Sequence, residues 1–154
     1  MFRILQGDVG SGKTIVAFIS AINSIESGYQ CGFMAPTSIL AEQHFKLLKN
    51  LINQSNLRIK IELLTGKTDP KKRKKILVDL ENKEIDLLIG THALFQKIIS
   101  FKNLGLIIID EQHKFGVKQR IKFAKKGGVN CDVLLLSATP IPRTMMMSIY
   151  GDMD

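Results

Sequence analysis

The sequence lacks the long apolar runs of a membrane protein and the paired cysteines of a disulfide-bonded one. It has no tryptophan and two cysteines, and none of its apolar runs approaches the roughly 20 residues that a membrane-spanning helix needs. One short apolar stretch runs directly into Gln6-Gly7-Asp8, which does not fit a signal peptide. Cys31 and Cys131 each lie within an apolar run, as buried thiols do. We therefore expect a soluble cytoplasmic protein without a disulfide or a zinc site.

Acidic residues are also scarce. The chain of 154 residues has 22 lysines and arginines against 14 acidic residues, which gives a net charge of +8. A basic balance fits a polyanionic partner such as nucleic acid, although a biased genome composition produces the same excess of lysine. The hydrophobic share of 45% is sufficient for a packed core. This length predicts a single domain over residues 1–154.

Short apolar runs alternate with longer amphipathic ones along the chain. The apolar runs predict strands near residues 2–5, 30–35, 58–64, 85–89, 104–109 and 133–136. The central runs are apolar throughout, which is typical of a parallel sheet that is buried on both faces. The expected fold class is therefore α/β, with a three-layer parallel sheet and helices on both faces. Ligands of such sheets bind at the carboxyl ends of the strands.

The helix boundaries carry capping signals. A helix is expected from about residue 13 to residue 27, with a buried face formed by Ile15, Ile19, Ile22 and Ile25. Thr37 or Ser38 is expected to cap the second helix. Asp69 and Pro70 have the residue types of an N-cap and a first helical position, and they predict a third helix that runs to about residue 82.

A glycine-rich segment follows the first predicted strand and matches G-x-x-x-x-G-K-[ST]. Its glycines let the backbone wrap around an anion, and the following helix adds the positive end of its dipole. Lys13 is expected to reach the β- and γ-phosphates of a nucleoside triphosphate such as ATP, and Thr14 to ligate Mg²⁺. The expected nucleotide-binding residues are Gly7, Asp8, Val9, Gly10, Ser11, Gly12, Lys13 and Thr14.

Two further polar groups follow apolar strands. Asp110 and Glu111 end the run Ile107-Ile108-Ile109, and adjacent carboxylates at a buried strand end repel each other unless they share a cation. We expect Asp110 to hold Mg²⁺ and Glu111 to activate the attacking water. If the strand before Ser137-Ala138-Thr139 lies beside the first strand, these hydroxyls can sense the γ-phosphate, with His113 as a bridge to the carboxylates. His44 and His92 lack metal-ligand spacing, and we interpret both as structural or partner-contacting residues.

Together these motifs resemble the first RecA-like lobe of superfamily 2 DNA helicases. Asp110-Glu111-Gln112-His113 resembles their DExH box, and Ser137-Ala138-Thr139 resembles the motif that couples hydrolysis to strand movement. The resemblance implies that His113, Ser137 and Thr139 are coupling residues. It also implies contacts to the DNA backbone, for which loop amides and hydroxyls suffice. The implied DNA-contacting residues are Thr37, Thr65, Gly66, Thr91 and His92.

Longer strings are similar to the RecG family of DNA helicases. They include residues 5–14, 90–96, 110–117 and 138–144. The transcription-repair coupling translocases share some of these strings, but they usually carry a second glutamate where this chain has Gln112. The resemblance implies ATP hydrolysis that drives movement on duplex DNA and the remodelling of branched DNA.

The family proteins are several times longer than this chain. The chain lacks counterparts of their wedge domain and second RecA-like lobe, so we expect slow hydrolysis and no unwinding by the lobe alone. Two alternatives are another P-loop enzyme, such as a small kinase, and a binding module that has lost its chemistry. The basic run from Lys71 to Lys75 is either a solvated surface or a contact to DNA phosphates, since positive charge on the first turns of a helix opposes the helix dipole.

Overall fold

The computed structural model describes residues 2–111 and 131–138, with all their side chains except those of Phe2, Phe95 and Glu111. The strands are β1 (Phe2–Gln6), β2 (Gln30–Met34), β3 (Ile61–Leu64), β4 (Leu87–Gly90), β5 (Leu104–Glu111) and β6 (Asp132–Ser137). The helices are α1 (Lys13–Glu26), α2 (Ser38–Gln54) and α3 (Pro70–Glu81), and a short 3-10 helix spans His92–Phe95.

All strand pairs of the sheet are parallel, in the order β1-β6-β5-β2-β4-β3. The predicted α/β class with a parallel sheet is confirmed. Gln6 lies opposite Ser137, and Ser137 lies opposite Glu111. The carboxyl ends of β1, β6 and β5 therefore stand at the same level, and the loops that follow them meet at one edge.

Helices cover both faces of the sheet. On one face, Phe18 of α1 and Leu48 of α2 pack with Phe33 and Ile108 of the sheet. On the other face, Ile76 and Leu80 of α3 belong to a core cluster with Leu64, Leu88 and Ile107. Alternate residues of β5 thus enter different cores, as the twofold periodicity of a strand requires. Both faces of the sheet are consequently apolar, and exposing either of them to water would be unfavourable.

The predicted buried face of α1 is partly wrong. Ile15 and Ile19 are 38% and 52% exposed, whereas Ala17 and Ala21 are fully buried. Apolar residues occur around most of this helix, so their spacing does not select one face. The small side chains of the alanines let the helix approach the sheet closely, and that approach fixes the rotation of α1.

Two predicted helix starts are confirmed. The Asp69 carboxylate accepts hydrogen bonds from the main-chain nitrogens of Lys71 and Lys72 at 2.9 and 3.2 Å, with Pro70 at the first helical position. The Thr37 hydroxyl accepts from the main-chain nitrogen of Leu40 at 3.2 Å. Each cap satisfies amide groups that the helix itself leaves without partners. The starts of α2 and α3 therefore follow from local sequence.

β3 is shorter than the predicted strand. Pairing with β4 begins where Ile61 lies opposite Leu87, and residues 58–60 precede it. The main-chain nitrogen of Lys60 donates to the Asp86 carboxylate at 2.8 Å, ahead of the ladder. The alternating pattern of residues 58–64 does not show where β3 begins. A strand at the edge of a sheet has one neighbour, so its ladder extends only as far as that neighbour does.

Gln30 is a fully buried polar residue at the amino edge of the sheet. Its side-chain nitrogen donates to the carbonyl oxygens of Leu80 and Ile85 at 2.9 and 2.8 Å. Its side-chain oxygen accepts from the main-chain nitrogen of Asn103 at 3.0 Å. One amide thus joins the end of α3, the start of β4 and the start of β5.

Cys31 lies in the core and is a free thiol in the structure. Burial raises the pKa of Cys31 to about 12, and a hydrogen bond from Ser24 opposes part of that rise. The thiol is therefore neutral at physiological pH and a poor nucleophile.

Within residues 2–111 and 131–138, no helix combines the length and the apolar character that crossing a bilayer requires.

Candidate nucleotide site and neighbouring loops

The glycine-rich loop connects β1 to α1 at the carboxyl edge of the sheet. Gly10 and Gly12 have φ values of 81° and 82°, a region that side chains disfavour. A Cβ atom on Gly7 would lie 2.6 Å from the Ser11 hydroxyl oxygen, so a side chain there would require the Ser11 side chain to rotate. Val9 of this loop is 84% exposed.

The first turn of α1 has the features of an anion site. Gly12 is the N-cap, and no side chain caps the helix. The first turn contains no acidic residue, so the positive end of the helix dipole is not neutralised there. Lys13 and Thr14 are both half-buried in this turn. Main-chain amides and the helix dipole are therefore directed at the same space as these two side chains.

Lys13 is held against the loop that it follows. Its ammonium group donates to the carbonyl oxygens of Gly7 and Asp8 at 2.5 and 2.6 Å and lies 3.5 Å from the Ser11 hydroxyl oxygen. An ammonium group has three hydrogens, and the loop accepts all three, the weakest contact being the one to Ser11. An anion would therefore take the place of Ser11 as a partner of Lys13. The loop thus fixes the position of a positive charge at the amino end of α1.

Asp110 lies on the same face of the sheet as α1 and α2. Its Oδ2 atom is 2.8 Å from Nε2 of His44, a residue of α2. The two side chains are 13% and 12% exposed, and the His44 ring also packs on Phe33. The sequence had indicated only a structural or partner-contacting role for His44, without naming Asp110 as its partner. The available signal was the spacing of His44 along α2. It lies three residues after Ala41 and four before Leu48, both buried, which places the histidine on the packed face of the helix.

Thr14 and Asp110 have the donor chemistry that suits Mg²⁺. Both offer oxygen ligands, which this cation prefers, and Mg²⁺ usually keeps several waters. Two strand spacings, about 10 Å, separate the ends of β1 and β5, a span that a hydrated ion and phosphate oxygens can bridge. No cluster of three or more histidine, cysteine or acidic side chains forms in residues 2–111 and 131–138. The oxygen donors of Thr14 and Asp110 therefore fit a hydrated Mg²⁺.

β6 lies directly between β1 and β5, as the interpretation of Ser137 required. The carbonyl oxygen of Ser137 accepts from the main-chain nitrogen of Gly7 at 3.2 Å, so the end of β6 supports the phosphate loop. The Ser137 side chain is 4% exposed. Gln112, His113 and Thr139 lie outside the described residues, and for Glu111 the structure describes only the main chain.

The loops expected to contact DNA follow the other three strands at the same edge. Thr37 follows β2, Thr65 and Gly66 follow β3, and Thr91 and His92 follow β4. Since the sheet order is β1-β6-β5-β2-β4-β3, the predicted nucleotide residues occupy one half of the carboxyl edge and these loops occupy the other. The proximity of the three loops was not visible in the sequence.

The side chains of these loops differ in exposure. Thr37 is exposed, although its hydroxyl caps α2. Thr65 is 4% exposed, and its hydroxyl accepts from the main-chain nitrogen of Lys67 at 3.3 Å, so of the two predicted contacts in that turn Gly66 is the exposed one. Thr91 and His92 are half-buried. Gly90 precedes them, and a Cβ atom there would collide with the carbonyl oxygen of Leu64, so this close strand approach requires glycine.

The basic run begins α3 beside the Thr65 loop. Lys71, Lys72, Lys74 and Lys75 are exposed. Lys72 lies 3.6 Å from Glu62, and the Arg73 guanidinium donates to Gln96. The exposed run adjoins the half of the edge that carries the predicted DNA loops, so the structure fits both a solvated surface and a contact to DNA phosphates.

Comparisons with known proteins agree with this geometry. The family model for the DEAD/DEAH box helicases matches residues 3–148. The ATP-dependent DNA helicase RecG of Thermotoga maritima is 53% identical over the whole chain, and that of Streptococcus pneumoniae serotype 4 is 50% identical. A solved structure of RecG bound to a three-way DNA junction superposes with a TM-score of 0.80 at 48% identity, over 97% of this chain.

The chain spans about a fifth of these relatives: 19% and 22% of the two RecG sequences and 19% of the solved RecG chain. The RecA-like lobe and the similarity to RecG helicases, both expected from the motifs, are confirmed. A nucleotide-dependent helicase domain also accounts for the loop, the carboxylate and the strand order. This chain belongs to the DEAD/DEAH box helicase family.

Proposed function

We propose that this chain is the ATP-binding motor lobe of a protein that moves along duplex DNA and remodels branched DNA, such as replication forks and recombination intermediates. The observation that carries the proposal is the division of one sheet edge. The nucleotide residues follow β1, β6 and β5, and the predicted DNA loops follow β2, β4 and β3. The similarity to RecG, including the RecG structure bound to a three-way DNA junction, supports branched DNA as the partner.

In this proposal the loop amides and Lys13 bind the triphosphate, and Thr14 and Asp110 hold Mg²⁺. When bound, Mg²⁺ neutralises charge on the phosphoryl group that is transferred. Glu111 orients a water molecule and accepts its proton as the water attacks the γ-phosphorus; the bond to the bridging oxygen breaks, and ADP is the leaving group. Ser137, Thr139 and His113 then sense the loss of the γ-phosphate.

The same proposal assigns the DNA backbone to the opposite half of the edge. Exposed Thr37, the main chain at Gly66, and Thr91 with His92 would contact phosphates and sugars without reading bases. Such contacts suit a motor, which must bind any sequence along its track. The bacterial RecG relatives support a cytoplasmic location for this activity.

We further propose that hydrolysis requires a second RecA-like lobe as partner. Motors of this class hydrolyse ATP between two lobes, and an arginine finger is worth about 10³- to 10⁵-fold in rate. By itself, the 154-residue chain is therefore expected to bind Mg-ATP weakly, to hydrolyse it very slowly and not to unwind DNA.

The test is ATP turnover by this chain with and without a three-way DNA junction, next to Mg-ATP binding. We expect measurable binding and turnover near the background of a Glu111→Gln variant. DNA-stimulated turnover that disappears in Glu111→Gln would support the motor function and contradict the need for a second lobe. Absence of Mg-ATP binding would overturn the proposed function itself.

Replacing Lys71, Lys72, Lys74 and Lys75 with alanine tests whether the basic run contacts phosphates. If it does, the slope of log affinity for duplex DNA against log salt becomes about two to four units shallower, since each neutralised phosphate contributes about 0.9. The matched control removes the same charge elsewhere, at exposed Lys46, Lys49, Lys60 and Lys102. Equal slopes for the two variants would leave the run as a solvated surface.

A further inference from the structure

The contact between His44 and Asp110 joins the two halves of the carboxyl edge. In the sheet, β5 is the last strand of the nucleotide half, and β2 is the first strand of the DNA half. Asp110 ends β5, whereas His44 lies on α2, the helix that follows β2. The 2.8 Å contact between Nε2 and Oδ2 thus connects residues that are 66 positions apart in the chain.

The surroundings of His44 keep its imidazole in place. The ring packs on Phe33 of β2, with a centroid distance of 4.8 Å and an angle of 44° between the planes. Ala41 and Leu48, one turn to either side on α2, are fully buried against the sheet. The side chain of His44 is 12% exposed. A fixed ring offers a hydrogen bond of fixed direction, which a mobile surface side chain does not.

The contact restrains the Asp110 carboxylate. With the proton on Nε2, the imidazole donates to Oδ2, and a carboxylate has a second oxygen with its own lone pairs. A hydrogen bond to one oxygen sets the rotation of the group and therefore the direction of the other oxygen. Hydrogen-bond partners of this kind orient metal-binding carboxylates, and their removal typically costs about 10- to 100-fold in metal affinity.

We propose that His44 is the positioning residue for the magnesium-binding carboxylate, and that it ties this carboxylate to the helix that starts at the predicted DNA contact Thr37. The inference rests on the proposed function, because it takes Asp110 as the residue that holds Mg²⁺. A shift of α2 relative to β5 displaces the imidazole and with it the carboxylate. DNA bound at the start of α2 and Mg-ATP bound at the end of β5 therefore influence each other through one hydrogen bond.

The test compares three variants of the 154-residue chain. His44→Phe keeps a ring against Phe33 and removes the donor, whereas His44→Gln keeps an N–H donor at a similar reach. Gln43→Ala is the matched control on the exposed side of α2. A fluorescent ATP analogue reports nucleotide affinity as Mg²⁺ is titrated, and electron paramagnetic resonance of Mn²⁺ counts the bound metal directly. Both readouts are independent of turnover.

We expect His44→Phe to lower the metal affinity of the nucleotide complex about 10- to 100-fold. The affinity for nucleotide without metal should be unchanged. His44→Gln and Gln43→Ala should remain within about threefold of the wild type. Full metal affinity in a folded His44→Phe would overturn the proposal, and so would a loss in His44→Gln as large as in His44→Phe. If His44→Phe fails to fold by circular dichroism, His44→Ala replaces it and is judged by the same two criteria.

Different results would contradict the proposed function and the proposed role of His44. A wild-type chain that binds no nucleotide at any Mg²⁺ concentration overturns the proposed function, and the role of His44 with it. A wild-type chain that binds Mg-ATP, together with a His44→Phe variant of equal metal affinity, overturns only the role of His44. Addition of duplex DNA extends the test: DNA should change the metal affinity of the wild type and leave that of His44→Phe unaltered.

Discussion

Replacing Lys13 with alanine is expected to lower the affinity for Mg-ATP about 10- to 100-fold. A hydrogen bond to a charged group is worth about 1.5–3 kcal/mol, and each 1.4 kcal/mol is a factor of ten in affinity. The carbonyl oxygens of Gly7 and Asp8 hold the Lys13 ammonium at the amino end of α1, where the alanine variant has no positive side chain. Isothermal titration calorimetry with a non-hydrolysable ATP analogue measures the change.

The matched control for this variant is Lys102→Ala. Lys102 is exposed and precedes β5, at the edge of the sheet opposite to the phosphate loop. Its removal changes the net charge equally and should leave the affinity within about twofold of the wild type, because exposed charges at long range are screened by salt. If Lys13→Ala bound the analogue as well as Lys102→Ala, the loop would not be a phosphate site, and the alternative of a binding module without chemistry would gain support.

Replacing Gln30 with leucine is expected to destabilise the chain by about 2–4 kcal/mol, since each buried group left without a partner costs about 1–3 kcal/mol. The carbonyl oxygen of Ile85 and the main-chain nitrogen of Asn103 lose the partner that the Gln30 amide provides. The carbonyl oxygen of Leu80 is less affected, because main-chain nitrogens at the end of α3 also donate to it. Urea denaturation measures the loss as a lower midpoint at unchanged slope.

Gln43→Leu is the control for this substitution. Gln43 is exposed on α2, so the same change of residue type there should alter the free energy of unfolding by no more than about 0.5 kcal/mol. A Gln30→Leu variant as stable as Gln43→Leu would show that the three hydrogen bonds of Gln30 do not hold the amino edge together. A loss of 2–4 kcal/mol is a large part of the 5–15 kcal/mol that is typical of a folded domain.

The conformation of the glycine-rich loop and the helix starts were predictable because their causes are local. The positive φ values of Gly10 and Gly12, the Asp69 cap and the first-turn position of Pro70 depend on neighbours within a few residues. Hydrogen bonds of this range form in the same way in any fold that accepts the segment. The apolar strands were also predictable, because a strand that is buried on both faces has few polar residues.

The rotation of α1 and the length of β3 were not predictable, because both depend on packing partners that are distant in sequence. Ile15 and Ile19 have the helical spacing of a core face, but Ala17 and Ala21 approach the sheet. β3 has the alternating pattern of a longer strand, but its only neighbour, β4, begins at Leu87. In each case the sequence pattern was compatible with several structures, and packing against distant elements selected one of them.

The sequence by itself determined the parallel α/β sheet and predicted the chemistry that we propose, a loop for phosphates and a carboxylate for Mg²⁺. Only the tertiary structure decided the strand order β1-β6-β5-β2-β4-β3, which places the nucleotide residues and the predicted DNA loops on separate halves of one edge. It also brought His44 to Asp110. The physical reason is that a motif needs only its neighbours in the chain, whereas strand order results from helices packing on both faces of the whole sheet.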